Sequence, residues 1–113
     1  MAHTAAETAV EQIFERGESA SVSRLFDVLA DERRRTVVAV LLEQTAPVTV
    51  DTLARHVAGR NSDVSPAEVP TADVDEVHVS LHHIHLPKMS QAGLLTFDAD
   101  DGVVRDVTIQ RDD

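Results

Sequence analysis

The chain has no cysteine, no tryptophan and no tyrosine, and only three phenylalanines, four glycines and four prolines in 113 residues. Without thiols there are no disulfides and no thiolate metal sites. With 3% aromatic residues, the core has to be built from Val, Leu, Ile and Ala. No apolar run approaches the roughly 20 residues needed to span a bilayer. The start, MAHTAAETAVEQ, lacks the basic opening and apolar block of a secretory signal, so a cytoplasmic location is the expectation. Lysine is almost missing: Lys88 and nine arginines face twelve aspartates and eight glutamates, a formal net charge of −10. That sign opposes binding to any polyanion, because attraction to phosphates supplies most non-specific affinity. Acid excess, scarce lysine and a Val/Ala-rich core also suit a protein of a salt-loving organism. There the Debye length shrinks to ~3 Å at molar salt, and acidic surfaces aid solubility.

The length fits one compact domain. Ala5–Arg16 reads as a short amphipathic helix with Ala6, Val10, Ile13 and Phe14 on one face and Gly17 as its stop. Val22, Leu25, Phe26 and Leu29 follow helical spacing, with Ser21 or Ser23 as the cap. Asp31 suits the N-cap of a helix over 32–44, with Glu32 in its first turn. Val48–Val50 is apolar enough for a short strand, and Thr49 or Asp51 caps a helix over 52–58 that Gly59 closes. Residues 60–72, with Pro66 and Pro70, read as a loop or loose turn. A long helix from about Asp73 to Ala92 ends at Gly93. Two strands follow, one starting at Leu94 and Leu95, the other over 103–109, joined by the turn 99–102. The expected fold is α+β, with an N-terminal extension over 1–20 and a domain over 21–111.

Helix, glycine stop and short hairpin is the ending of a winged helix-turn-helix. Residues 25–42, LFDVLADERRRTVVAVLL, and 86–95, LPKMSQAGLL, resemble arsenic-repressor-type winged-helix regulators. The segment His83-Ile84-His85-Leu86-Pro87-Lys88, followed by Ala92-Gly93, resembles more closely a haloarchaeal family of winged-helix domains of unknown function. The resemblance covers roughly 22–109. It implies a winged helix-turn-helix with an added N-terminal helix and, by analogy, a DNA-binding transcriptional regulator. It brings no catalytic residue, since a fold does not fix a function.

On the 73–92 helix, at about 100° per residue, Val77, Leu81 and Ile84 cluster, and Val79, Leu86 and Met89 extend the apolar arc. Glu76, Ser80, His83, Pro87, Ser90 and Gln91 form the polar face. In a major groove Ser80 and His83 would meet base edges or phosphates, with Lys88 at the border; a serine discriminates weakly. Arg33 starts a basic run, Arg33-Arg34-Arg35, near a helix end, and Arg105 stands against the acids of 98–101; both are candidate phosphate contacts. Consecutive residues spread around a helix, so at least one of the three arginines should pair with Asp27, Asp31 or Glu43. Pro87 should bend or break its helix, having no N–H for the His83 carbonyl.

His78, His82 and His85, at i, i+4 and i+7, line one side of the helix. That spacing can hold a divalent metal. They also lie inside the apolar arc, where half-buried histidines bonded to backbone carbonyls or to an Asp of the 60s loop are the expectation, so no metal or other cofactor is assigned. Histidine titrates near neutrality, which makes a proton-sensitive helix a further option, tested at His82. No nucleophile with a base and no phosphate-cradling glycine loop is present, so enzyme activity is not expected. The sequence favours a homodimeric regulator binding double-stranded DNA, with no membrane partner. The alternative is a protein-interaction or dimerisation module on the same fold, favoured by the acidic hairpin tip and the long 60s loop.

Overall fold

The computed structural model describes residues 22–108. The expected 5–16 helix, the Ser21 cap and Ile109 lie outside them. Within them, helices and a small three-stranded antiparallel sheet make a mixed α+β domain.

Helix α1 (Val22–Leu29) buries Leu25, Val28 and Leu29, and α2 (Glu32–Leu41) buries Val37, Val38, Val40 and Leu41. Asp31 caps α2, its carboxylate accepting the Arg34 N–H at 3.1 Å. α2 stops three residues earlier than its spacing suggests. The N–H groups of Glu43 and Gln44 reach back only three residues, to Val40 and Leu41, tightening the last turn.

Strand β1 is Val48–Thr49, and Thr49 caps α3 (Val50–Ser62) by accepting the Thr52 N–H at 3.1 Å. Gly59 does not end this helix. It is buried within it, and the helix ends at Asp63 in the left-handed region (φ 55°), as the Val64 N–H bonds back to the Gly59 carbonyl at 3.0 Å. The glycine is there for space: a Cβ on it would stand 2.8 Å from the Val64 carbonyl oxygen. Alanine at 59 gains about 1 kcal/mol of helix propensity but forces backbone apart, at about 1–3 kcal/mol. Gly59→Ala is therefore expected to lower the urea midpoint, by a net loss of up to about 2 kcal/mol. A raised midpoint would show that the 63–66 turn yields freely.

The 60s segment is shorter as a loop than expected. α3 runs to Ser62, a 3-10 turn occupies Pro66–Glu68, and helix resumes at Thr71. From there the backbone stays helical to Gln91 in three parts: α4 (Thr71–Ser80), a π turn (Leu81–His85) and α5 (Leu86–Gln91). In the π turn the Leu86 N–H reaches back five residues to the Leu81 carbonyl. Pro87, which has no N–H to offer, follows at once; the helix continues through it rather than breaking.

The π turn corrects the expected apolar face. The buried residues are Val74, Val77, Leu81, His85, Leu86 and Met89, whereas Val79 and Ile84 are 57% and 58% exposed. In an uninterrupted α-helix the buried set would spread over about 180° of arc. One extra residue in a turn sets everything after it back by about 100°, which gathers the set into about 100°. Ile84 lies in the widened turn and is carried outward. Val79 joins the inward arc only if Leu86 stays where uniform periodicity puts it.

Gly93 (φ 83°) ends the helix, with the Leu94 N–H bonded to the Met89 carbonyl at 3.1 Å, a glycine C-cap. β2 (Leu95–Asp98) and β3 (Val103–Val107) form a hairpin with an irregularity between Thr96 and Phe97. β3 also pairs with β1, so the sheet order is β1-β3-β2. The Val50 N–H bonds to the Gly102 carbonyl at 2.9 Å, tying the hairpin turn to the start of α3. Leu53, Val57, Leu81, Leu86, Met89 and Val104 sit at the centre of one continuous core. Among the described residues no helix is long and apolar enough to cross a membrane.

Candidate nucleic-acid interface

Helix 71–91 packs against α3 on one side and runs into the hairpin at its end. Its outward side carries the residues singled out for contact: His83 is exposed and Ser80 partly so. Asp75, Glu76, Val79 and Ile84 are exposed on the same helix.

The three basic candidates flank it, and each already holds a carboxylate. Arg33 is 3.3 Å from Glu76, beside the first half of the helix. Lys88 is 2.8 Å from Asp27 of α1, near its end. Arg105 binds Asp98 at 2.9 Å and Asp101 at 2.5 Å across the hairpin. The Lys88 ammonium, by hydrogen bond and by charge, holds the Asp27 carboxyl below the usual range. Asp98 is held low first by the Asp101 N–H and then by Arg105, whose own affinity for its proton is raised by Asp98. Elsewhere Arg55 pairs with Asp51, and Arg60 with Glu43. The acidic charge of the surface is thus interleaved with most of its cations, and at the hairpin tip a single arginine offsets part of the charge of three aspartates.

The arginine run behaves differently from its expectation. None of its side chains pairs with the carboxylate of Asp27, Asp31 or Glu43. Arg33 turns to the helix, and Arg35 donates to the Leu29 carbonyl at 2.7 Å. Arg34 is buried, only 8% exposed. Its Nε donates to the Val28 carbonyl at 2.6 Å, one Nη to the Asp27 carbonyl at 3.4 Å, and the other lies 3.2 Å from Nδ1 of His85, itself 7% exposed. Arg34 therefore closes the carbonyl end of α1, where cationic donors are favoured, and joins it to the π turn. The spacing does carry the signal: Arg34 stands three, four and seven residues before Val37, Val38 and Leu41, and so extends their buried stripe back by a turn.

The three spaced histidines do not converge. His82 and His78 stack, ring centroids 6.3 Å apart and planes 5° apart. His82 meets Phe97 edge-on at 5.4 Å, and its Nε2 donates to the Ala99 carbonyl at 3.1 Å. The backbone carbonyl expected for these half-buried rings thus comes from the hairpin turn, not from the 60s loop, and it pins the helix to the hairpin. His85 faces the other way, into the core. Among the described residues no group of three or more His, Cys, Asp or Glu is placed to hold a metal ion.

No curated protein and no solved structure matches the chain. The family model of a domain of unknown function (DUF7344) matches residues 26–105, from within α1 to the middle of β3 and so including every candidate contact, and the chain belongs to that family.

Proposed function

We propose that the domain is a winged helix-turn-helix and that the protein is a DNA-binding transcriptional regulator, a homodimer suited to a salt-rich cytoplasm. In this reading 71–91 is the recognition helix and β2–β3 the wing. The observation that carries it is the outward side of a helix held between α3 and a terminal hairpin, with His83 exposed at its middle. A major groove about 12 Å wide admits such a helix. His83 and Ser80 can then bond base edges, while Arg33, Lys88 and Arg105 exchange their carboxylates for phosphates. Exposed ion pairs are worth only about 0–1 kcal/mol, so that exchange costs little. With no unpaired arginine on the helix to grip guanine, base discrimination is soft. Recognition is non-covalent, and nothing in the reading requires a cofactor.

A second reading, a protein-interaction module without DNA, is favoured by one observation: Val79 and Ile84 share the outward surface with Asp75 and Glu76. Apolar and acidic groups there suit a protein surface better than phosphates.

Fluorescence anisotropy with random duplex in molar KCl, repeated at lower salt, separates the two. The regulator binds duplex, and His83→Glu or Ser80→Glu weakens binding at least tenfold, about 1.4 kcal/mol. Absence of duplex binding at every salt concentration, with a tight dimer by light scattering, would establish the interaction module instead.

A further inference from the structure

We propose that the Arg34–His85 contact is a proton-sensitive latch: one proton on His85 opens the joint between the α1–α2 elbow and the π turn. This device is independent of what the outward face binds.

The chemistry follows from the donor count. A guanidinium has donors only, so Nδ1 of His85, 3.2 Å from an Nη of Arg34, has to accept. The ring is therefore neutral, with its proton on Nε2. A second proton would occupy Nδ1 and turn the acceptor into a donor facing a donor, and it would set two cations side by side in the core. Arg34 cannot yield, because two α1 carbonyls hold it and it does not lose its own proton. The strain falls on His85, the last residue of the π turn, whose defining bond runs from the Leu86 N–H to the Leu81 carbonyl.

The charges that act on His85 come from α2 and its cap: Arg34, Arg33 and the Asp31 carboxylate. Asp27 and Lys88 neutralise each other, as do Arg33 and Glu76. Asp31 favours the imidazolium, but its carboxylate is already engaged by the Arg34 N–H. Burial is the largest influence on the ring, Asp31 opposes it, and Arg34 and Arg33 add to it; the balance holds His85 below the usual histidine range.

A group whose affinity for its proton is lower in the folded state binds that proton preferentially when the structure opens. The latch is closed above the ordinary histidine value of about 6.5. Its contribution is lost as pH falls from there through His85's own midpoint. Of the helix histidines the device singles out His85, not His82, which is only half-buried and faces the hairpin.

The test uses the full chain in concentrated KCl. Ring resonances report the His85 midpoint, and amide exchange reports opening at Leu86. Expected are a His85 midpoint below about 6.5 and a Leu86 opening constant, corrected for intrinsic exchange, that rises up to tenfold per pH unit between 6.5 and that midpoint. His85→Gln, whose side-chain oxygen can accept from Arg34 at any pH, should flatten the fall in urea midpoint between pH 7.5 and 5.5; His82→Gln should not. A His85 midpoint at or above 6.5, pH-independent Leu86 opening, or an undiminished slope in His85→Gln would each overturn the latch. Should His85→Gln fail to fold, the ring titration and the Leu86 exchange of the unaltered protein decide the matter alone.

Discussion

Leu81→Ala is expected to cost about 3–5 kcal/mol, and Ile84→Ala less than about 0.5 kcal/mol. For a domain of this size that is roughly 15–30 °C of Tm against a few degrees or less. Both residues belong to one apolar cluster if the helix is uniformly α, since they are three apart and on one side. Only the π turn separates them, leaving Leu81 fully buried and Ile84 58% exposed. Leu81 stands at the junction of α3 and helix 71–91 among Leu53, Val57, Leu86 and Met89. A backbone held on both sides cannot collapse into the space a leucine leaves, so the cavity cost adds to the lost transfer energy. Thermal unfolding of the two variants in the same buffer is the measurement. Similar losses for both would show that the helix is regular and the widened turn absent.

The same turn explains why the fold was more legible than the site. Helix starts were written in single residues. Asp31 and Thr49 cap where expected, because their short side chains have only the N–H two or three residues on to satisfy. Gly93 ends its helix because the φ of 83° suits no other residue as well. Gly59 misled, because a glycine needed for close approach of a distant backbone looks the same in sequence as one needed for a turn. Burial along 71–91 misled for a related reason. A 3.6-residue repeat cannot reveal where one extra residue is accommodated, and the shift left Val79 and Ile84 outside the buried face, while His85, expected within the apolar arc, is buried there. The basic candidates were legible as residues but not as partners. Glu76, Asp27 and Asp98 reach them through tertiary packing or across the hairpin. Arg34, the most consequential member of its run, differs from its neighbours only by the 100° or so of helix that turns it inward.

That inward arginine should also be among the most expensive polar residues to remove. Arg34→Met keeps the length of the side chain and much of its apolar stem, so packing is largely retained. What is lost is the donor set. The Val28 carbonyl loses a buried hydrogen bond of 2.6 Å, the Asp27 carbonyl a longer one, and Nδ1 of His85 its only partner from α2. A buried polar group left without a partner costs about 1–3 kcal/mol, and the three together are expected to cost about 3–5 kcal/mol once water reaches the more exposed of them. A second substitution apportions the loss. Arg34→Met with His85→Leu removes both ends of the side-chain contact, so the imidazole is no longer stranded, while the two carbonyls still are. The double variant should therefore be more stable than the sum of the two single losses predicts, by about 1–2 kcal/mol, yet remain well below the unaltered protein. Urea unfolding at pH 7.5, where His85 is neutral in every state, measures all four corners of the cycle. Strict additivity would mean that Arg34 and His85 do not communicate, and full recovery in the double variant would mean that the α1 carbonyls find other donors without it.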